Sequence, residues 1–399
     1  MNSIERRIRE QMSKDSKKST GSSRSEFGVV EMSIPETPKF KEKKNEAWVS
    51  IGEDNLYPYA ISDLKYGSSI HNAILSSASD MIAGDGFLIN DALTPEESKV
   101  KEAALNPKQK AEYEIWLKNP NTKINTNKLN KKLAFDLKEQ GCFACELIKN
   151  VSGDKIATRK YVDVRNLRPG KMVDGEIKSW WYCQDWKKYK YPEYKPKEIA
   201  AYDRNNKDDL NQIYFDKIGN FEYYGVPDYI GALTWIQIDF KMGIFHLANV
   251  ENGMNPSIAL KFFQVPSSEE DKAMTISAIK KQYFGANNTG RAMIFFSDGK
   301  ELAPEVAPIG VSNIDKQMVV IAELCDKKIL TGHKLTSPLL AGISTSGQIG
   351  GNVELEKSFL IYQNTRIKPM SKILSEFHNE ILDYNKTGVK VEINPYKLY

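Results

Sequence analysis

The sequence predicts an α+β fold in which a region of mixed helices and strands precedes two long helices that flank a small β-α-β unit. Three patterns predict it. Residues 46–226 alternate between apolar residues at helical spacing and runs of branched and aromatic residues. Apolar residues then recur at helical spacing over 228–250 and over 312–331, and the stretch between them indicates strand, helix and strand. A third long helical pattern covers residues 353–383.

Composition and charge limit the classes of protein to which this chain can belong. Its 399 residues exceed what one hydrophobic core usually organises, so we expect two or three structural regions. Lys and Arg number 56 and Asp and Glu 52, which leaves a net charge of +4. A protein that grips DNA through many phosphates needs a larger positive excess, whereas a conduit through which DNA moves does not. The charge therefore disfavours a tight DNA binder and permits a channel.

The sequence favours a protein made in a cytoplasm. No apolar stretch follows the basic start of the chain, and charges interrupt the longest apolar runs, so neither secretion nor a membrane span is predicted. The cysteines are too few and too scattered for a disulfide framework, and we expect free thiols. They are Cys142, Cys145, Cys183 and Cys325.

Residues 1–45 are predicted to form a tail that is disordered or is ordered by a partner. They are rich in Ser, Lys, Arg and Glu and poor in apolar residues. Such a segment buries too little surface to offset the entropy that ordering removes.

The mixed region is predicted to begin with two helices and to continue as strands. Apolar residues from Ile70 to Ile82 fall at helical spacing before Gly84, and a second helical run over 127–140 ends at Gly141. The spacing then changes to that of strands. The predicted strands cover residues 142–149, 155–164 and 176–182, with turns at 151–154 and 174–175 and an exposed Lys-, Tyr- and Pro-rich loop at 187–197.

Two long helices follow. Asp228 is placed to cap the first, whose roughly 22 residues would span about 33 Å at 1.5 Å per residue. Gln237, Asp239 and Lys241 interrupt its middle, which excludes a membrane span. The second long helix is predicted to start at Ser312.

The segment between the long helices is predicted to be a β-α-β unit of about 55 residues. Strands are expected at 257–263 and 291–297. Ser267 and Glu270 form a capping-box pattern that opens the intervening helix, which should run to Tyr283.

The remaining chain is predicted to form a mobile loop, a long helix and a short strand. Residues 332–352 are rich in Gly and Ser, which favours a flexible loop. The helix over 353–383 contains Pro369, which should kink it. Residues 389–393 should return as a strand.

Motifs of catalytic or metal-binding proteins are missing from the sequence. Cys142 and Cys145 lie three apart on a predicted strand, so they point to opposite faces and no second ligand pair completes a zinc site. The segments 84–86 and 347–351 are glycine-rich but match no phosphate-binding loop. The four histidines have no metal-ligand spacing; they are His71, His246, His333 and His378. We therefore expect no enzyme, no metal and no cofactor.

Four short segments resemble motifs of one family in order and spacing. They are Tyr224-Gly225-Val226-Pro227 before the first long helix, Glu251-Asn252-Gly253-Met254-Asn255-Pro256-Ser257 after it, Ser337-Pro338-Leu339-Leu340-Ala341-Gly342 after the second, and Arg366-Ile367-Lys368-Pro369 in the last helix. Over about residues 130–383 the chain resembles the portal proteins of tailed bacteriophages, or head-to-tail connectors. The family's Pro-Pro-x-Leu-Leu-Gly pattern departs here, because Ser337 replaces the first proline.

The resemblance implies a portal fold with an α/β wing, two stem helices, a β-α-β clip, a tunnel loop and a long kinked helix. The corresponding ranges are the tail at 1–45, the wing at 46–227, stem helix 1 at 228–255, the clip at 256–311, stem helix 2 at 312–331, the tunnel loop region at 332–352, the kinked helix of the wing at 353–387, and a C-terminal strand and tail at 388–399.

The resemblance also implies a function and partners. A homo-oligomeric ring, usually of twelve copies, would lie at one vertex of the capsid in the virion after assembly in the host bacterial cytoplasm. Double-stranded DNA would pass through it during genome packaging and ejection. The terminase large subunit and then a connector or adaptor protein would dock on the clip, and the major capsid protein or scaffold would contact the ring.

Candidate functional residues follow from these regions. The tunnel loop candidates, expected to make brief contacts to DNA phosphates, are Lys334, Ser344, Thr345, Ser346 and Gln348. The clip candidates for terminase or connector contacts are Glu269, Glu270, Lys272, Lys280 and Lys281. The apolar faces of the long helices are expected to pack against neighbouring subunits.

Two alternatives remain open from the sequence. One is another ring-forming connector or minor capsid protein, although those are generally shorter or lack the inserted β-α-β unit. The other is a metal-dependent nucleic-acid enzyme, which would need a cluster of carboxylates that can hold two metals.

Overall fold

The mixed region is a six-stranded sheet with helices packed against one face. The computed structural model describes residues 39–251, 258–262, 266, 268–283, 292–296, 314–341 and 352–397, all of which belong to one unit. The helices are α1 (Tyr57–Leu64), α2 (Ser69–Ala83), α3 (Pro95–Ala103), α4 (Pro107–Lys118), α5 (Thr126–Gln140), α6 (Leu233–Glu251), α7 (Glu269–Tyr283), α8 (Ile314–Gly332), α9 (Asn352–Tyr362) and α10 (Lys368–Tyr384). The strands are β1 (Phe40–Glu42), β2 (Val49–Ile51), β3 (Phe87–Ile89), β4 (Cys142–Lys149), β5 (Ile156–Val162), β6 (Leu167–Pro169), β7 (Met172–Val173), β8 (Glu176–Ile177), β9 (Ser179–Tyr182), β10 (Lys197–Ala201), β11 (Asn211–Lys217), β12 (Ile258–Phe262), β13 (Ala292–Phe296) and β14 (Val391–Ile393).

The predicted helices of the mixed region form where their end signals lie. Ser68 caps α2 by accepting a hydrogen bond from the backbone N–H of His71, and Gly84 ends that helix. Asn125 caps α5 in the same way, and Gly141 ends it in the left-handed region at φ 73°. The helices α3 and α4 were not predicted, although each has a capping residue and a proline in its first turn.

The large sheet has the strand order β5-β4-β11-β10-β9-β6, and only β10 and β11 pair in parallel. Strand β4 is central to the core because both of its faces are covered. Phe143 and Cys145 pack into one hydrophobic cluster with helices α2, α5 and α10, while Cys142 and Ala144 pack into another. The two cysteines of the C-x-x-C pattern therefore point to opposite faces, as predicted.

The segment Tyr224-Gly225-Val226-Pro227 crosses the start of β4 at close range. A Cβ on Gly225 would lie 2.3 Å from the carbonyl oxygen of Gly141, and a Cβ on Gly141 would lie 2.3 Å from that of Val226. Both positions therefore require glycine, since no side chain fits between the two backbones. The crossing fixes where the chain leaves the sheet for the first long helix.

The two long helices pack against each other and against α2. A 3-10 turn (Ile230–Ala232) leads into α6, and Ile236 of α6 lies in one buried cluster with Cys325 and Ile329 of α8 and Ile74 of α2. The predicted cap by Asp228 is wrong, because the turn begins after Tyr229 without a side-chain cap. The Asp228 carboxylate instead accepts hydrogen bonds from Lys138 on α5.

The inserted segment is a β-α-β unit, as predicted. Strands β12 and β13 pair in parallel from Ile258 opposite Ala292 to Phe262 opposite Phe296, with α7 between them in the chain. The capping prediction was one residue off. Ser268 accepts from the backbone N–H of Asp271, whereas Ser267 lies outside the described residues.

The last helical segment changes its winding at the predicted proline. Residues Gln363–Ile367 form a π-helical turn between α9 and α10, and Pro369 lies in the first turn of α10. Proline lacks the N–H that would continue the ladder of the preceding turn, which accounts for the altered winding. Strand β14 then pairs antiparallel with β3.

The folded region begins earlier than the predicted tail of residues 1–45 allows. Strand β1 pairs antiparallel with β2, and Phe40 stacks on Tyr224 with ring centroids 5.5 Å apart. Phe40 is one of the few large apolar residues in the segment 1–45, and it packs against a core cluster. The predicted tail up to residue 38 lies outside the described residues. In the described part of the chain, no helix combines the length and the apolar character that crossing a membrane requires.

Candidate subunit interface and channel loop

Apolar side chains are exposed on the outer faces of both long helices. On α6, burial decreases along the helix, from Ile236, which is fully buried, to Leu247, which is 58% exposed. On α8, Cys325 faces the core, while Val319 and Val320 are 60% and 63% exposed. Phe245, Leu324, Leu360 and Ile361 are further exposed apolar residues of α6, α8 and α9. These exposed apolar side chains make the outer faces of the long helices a candidate interaction surface.

The channel-loop candidates begin directly after α8. Lys334 is exposed and has a left-handed backbone at φ 59°, and its N–H donates to the carbonyl of Thr331 over 2.9 Å. A 3-10 turn (Pro338–Ala341) follows, and Leu340 packs against the main core cluster. Four candidates lie outside the described residues, namely Ser344, Thr345, Ser346 and Gln348. The structure therefore places the foot of the loop and Lys334, but not these four.

The clip candidates lie on α7. Glu269 and Glu270 occupy its exposed first turn, where carboxylates are favoured by the helix dipole. Lys272 pairs with Glu269 over 3.2 Å within the helix. Lys280 and Lys281 lie near the end of α7. Two of the candidates, Glu269 and Lys272, thus form an ion pair with each other within the helix.

Two buried histidines hold the foot of the loop against the mixed region. The Nδ1 of His71 on α2 lies 2.9 Å from the Nε2 of His333, and neither residue is exposed. The ring of Tyr229 stacks on His333 at 4.5 Å and meets His71 edge-on at 4.9 Å. Since His333 directly precedes Lys334, this cluster fixes the position from which the loop departs.

Burial favours the neutral form of both histidines. Burial lowers the pKa of His71 to about 3, with smaller contributions from the charges of Lys138 and Lys65. Burial likewise lowers the pKa of His333 well below its ordinary value. A neutral ring carries one N–H, so one histidine donates to the other. The outer nitrogens, Nε2 of His71 and Nδ1 of His333, have no partner among the described residues, so one N–H stays unsatisfied in either arrangement.

A buried ion pair lies beside the histidines. The Nζ of Lys138 contacts the two carboxylate oxygens of Asp228 at 2.8 and 3.0 Å, and the side chains are 2% and 7% exposed. Burial lowers the pKa of Lys138, and the Asp228 charge opposes that shift. The neighbouring Glu139 binds Lys65 at 2.6 Å, and its carbonyl accepts from the hydroxyl of Tyr229. These contacts tie α1 and α5 to the start of the first long helix.

Known proteins share this arrangement of elements. No family model and no curated protein matches the chain. A chain in the neck of an empty gene transfer agent particle, computed with C6 symmetry, is similar with a TM-score of 0.54 and 14% identity, over 90% of this chain and 86% of that one. A chain in the virion of the native gene transfer agent gives a TM-score of 0.52 and 13% identity over the same shares.

The chain shares its fold with these gene transfer agent chains. An HK97 family phage portal protein from Corynebacterium diphtheriae is also similar, with a TM-score of 0.48 and 10% identity, over 84% of this chain and 95% of that one. The α+β class and the resemblance to portal proteins that the sequence indicated are confirmed for the fold.

Sequence reasoning did not identify the polar cluster formed by the two buried histidines and the buried ion pair. His71 and His333 are 262 positions apart, and Lys138 and Asp228 are 90 apart. No local spacing connects such residues. The sequence did place Asp228 at the start of the first predicted long helix and His333 shortly after the end of the second. Those positions were the available indication of the cluster.

We expect the stability of the folded chain to fall as the pH is lowered from about 6.5. In that range the unfolded chain binds protons at His71, His333 and His378, whereas burial keeps their folded-state pKa values lower, about 3 for His71. Each such group costs up to about 1.4 kcal/mol per pH unit below 6.5. Asp136, whose pKa burial raises, acts in the opposite direction.

Urea unfolding at pH 7, 6 and 5 measures this slope. His71→Asn should lower the slope by about 1.4 kcal/mol per pH unit. His246→Asn is the matched control, since His246 is exposed on α6 and lies outside the buried cluster. Equal slopes for the natural protein and His71→Asn would contradict a neutral buried pair.

Proposed function

We propose that this chain is a portal protein, whose copies form a ring, expected to hold twelve, at one vertex of a viral capsid. The observation that carries the proposal is the exposed apolar surface on the two long helices that flank the β-α-β unit. A single subunit leaves this surface in water, and a ring of identical subunits would bury it. The fold shared with chains of gene transfer agent particles over 90% of this chain supports the proposal.

In this proposal, the regions act as a wing, stem, clip and tunnel loop with the ranges given above. The ring is the channel for packaging and ejection of the viral genome, and it is a virion component assembled in the cytoplasm of a bacterial host. We assign no catalytic step, metal or cofactor to the chain. Its contribution is to enclose and guide DNA.

The tunnel loop is proposed to guide the duplex through brief, neutral contacts. Ser344, Thr345, Ser346 and Gln348 can hydrogen-bond phosphates without a full charge, which positions DNA but does not retain it. Lys334 adds one cation per subunit at the foot of the loop. It is exposed and pairs with no carboxylate among the described residues, which supports this role.

Enlarging the side chains of the tunnel loop tests whether the loop lies in the path of the DNA. Replacing Ser344, Thr345 and Ser346 together with tryptophan should narrow the channel and reduce the yield of virions that contain full genomes. The measurement is packaged DNA per particle. A wild-type yield of full genomes would remove this loop from the path of the DNA.

The clip is proposed to bind the terminase large subunit during packaging and a connector or adaptor protein afterwards. Glu269, Glu270, Lys272, Lys280 and Lys281 are the candidate contacts on α7. The major capsid protein or scaffold is the proposed partner of the ring in the capsid shell. Charged contacts at the exposed start of α7 would suit partners that exchange, since such pairs are weak and sensitive to salt.

Negative-stain electron microscopy of the purified protein tests the proposal as a whole. We expect annular particles with a central hole wide enough for duplex DNA. Particles that stay monomeric at high protein concentration, or oligomers without a central hole, would overturn it.

A further inference from the structure

A cationic loop lies far along the chain from the tunnel loop. Residues 185–197, which lie after β9 and end at the first residue of β10, contain five lysines and two acidic residues, a net charge of +3 in a chain whose total is +4. We name this segment the lysine loop. Its lysines are all exposed, and they are Lys187, Lys188, Lys190, Lys195 and Lys197.

The backbone of the lysine loop is ordered by successive turns. The N–H of Lys188 donates to the carbonyl of Asp185, that of Tyr191 to Lys188, and that of Tyr194 to Tyr191, over 2.9 to 3.0 Å. Because the turns follow each other directly, the loop presents its lysines from a defined backbone. A ligand would therefore lose less free energy to ordering than it would on a flexible segment.

An aromatic cluster supports the loop from below. Trp186 is buried, and its indole N–H donates to the carbonyl of Asn166 over 2.9 Å. Trp48 packs on Trp186 with ring centroids 5.1 Å apart and on Tyr189 at 5.8 Å. These rings contact each other, so they hold the loop in place and do not offer free faces on which unpaired bases could stack.

Most of the loop's positive charge is not neutralised within the described residues. Lys188 pairs with Asp185 over 3.8 Å. Lys187, Lys190, Lys195 and Lys197 have no carboxylate within 4.0 Å in the part of the chain that the structure describes. Lys187 lies over the ring of Tyr59 and Lys190 over that of Tyr189, at 5.8 and 5.9 Å from the ring centroids, and these contacts leave the charges un-neutralised and available to an anionic ligand.

The residue types indicate the chemistry of that ligand. The lysine loop contains no arginine, so it lacks the planar group that binds carboxylates bidentately. Lysine is depleted at protein–protein interfaces, whereas it commonly contacts DNA phosphates as a point charge. We propose that the lysine loop binds the phosphate backbone of double-stranded DNA without regard to base sequence. This site goes beyond the portal function and does not depend on ring formation.

The test measures the binding of the full chain to a fluorescent 30-base-pair duplex of arbitrary sequence at 50 to 200 mM NaCl. The loop variant replaces Lys187, Lys190, Lys195 and Lys197 with glutamine. The matched control replaces four other exposed lysines with glutamine, which removes the same charge elsewhere. These are Lys99, Lys108, Lys110 and Lys128.

Four phosphate contacts contribute about 3 to 4 to the slope of log affinity against log salt concentration. We therefore expect the loop variant to lose that much of the slope, and to bind at least about 100-fold more weakly at 50 mM salt, while the control retains the slope. Equal losses in both variants would show a general charge effect and overturn the site. Binding of poly-glutamate but not duplex DNA would also overturn it, in favour of an acidic protein partner.

Discussion

Replacing both Val319 and Val320 with glutamate is expected to convert the proposed ring into folded monomers. Both side chains are exposed on α8 in the single subunit, 60% and 63%, so the change should not disturb the fold. In the proposed ring the same positions are covered, and each interface would then bury two unpaired carboxylates and lose the burial of two valines. The lost burial alone is worth about 3 kcal/mol per interface, or more than 100-fold in association. Mass photometry and negative-stain microscopy measure the outcome.

A matched double variant separates a local effect from a general one. Val100 on α3 and Val151 in the turn after β4 are 70% and 94% exposed, and neither lies on a long helix. Val100→Glu with Val151→Glu adds the same charge and should leave the ring intact. Rings formed by the α8 variant would exclude this face of α8 from the interface.

The exposed valines of α8 show that the helical pattern in the sequence did not identify the whole apolar surface of this helix. Ile314, Met318, Ile321 and Cys325 fall on one face of α8 at helical spacing, and the structure buries Cys325. Val319 and Val320 lie outside that pattern and were not singled out. A helix that is apolar on more than one side needs more than one partner, and this feature was present in the sequence.

Elements with local end signals were predicted well. The helix ending at Gly84 and the one ending at Gly141 were found within a residue or two, because a left-handed terminus favours glycine and little else. The β-α-β unit was found because its strands and its helix differ in spacing. Helices α3 and α4 were missed because they carry few apolar residues at helical spacing, although Thr94 and Asn106 cap them.

Contacts between distant residues were not predictable from one sequence. Asp228 has the type and place of a helix cap, and only the approach of Lys138 from α5 decides that its carboxylate has another partner. The contact between His71 and His333 depends in the same way on the packing of α2 against the end of α8. Of the tunnel loop, the structure places Lys334 and leaves the other four candidates as predictions.

Loss of the buried partner of Asp228 is expected to destabilise the folded chain strongly. The Lys138–Asp228 pair is almost fully buried, so Lys138→Ala leaves a carboxylate in the interior without its cation. Breaking a buried pair in this way typically costs about 3 to 5 kcal/mol. The free energy of unfolding, from urea titration at pH 7, measures the loss. Lys118→Ala is the control, because Lys118 pairs with Glu114 at the surface, and it should cost less than about 1 kcal/mol.

A double variant shows which part of that cost is the unpaired charge. Lys138→Met with Asp228→Leu removes both charges and keeps apolar volume at the site. If the penalty of Lys138→Ala comes from the stranded Asp228 carboxylate, the double variant should recover most of the lost stability, since apolar replacements of buried ion pairs are often neutral or stabilising. A double variant as unstable as Lys138→Ala would instead mean that the geometry of the pair itself holds the first long helix against α5.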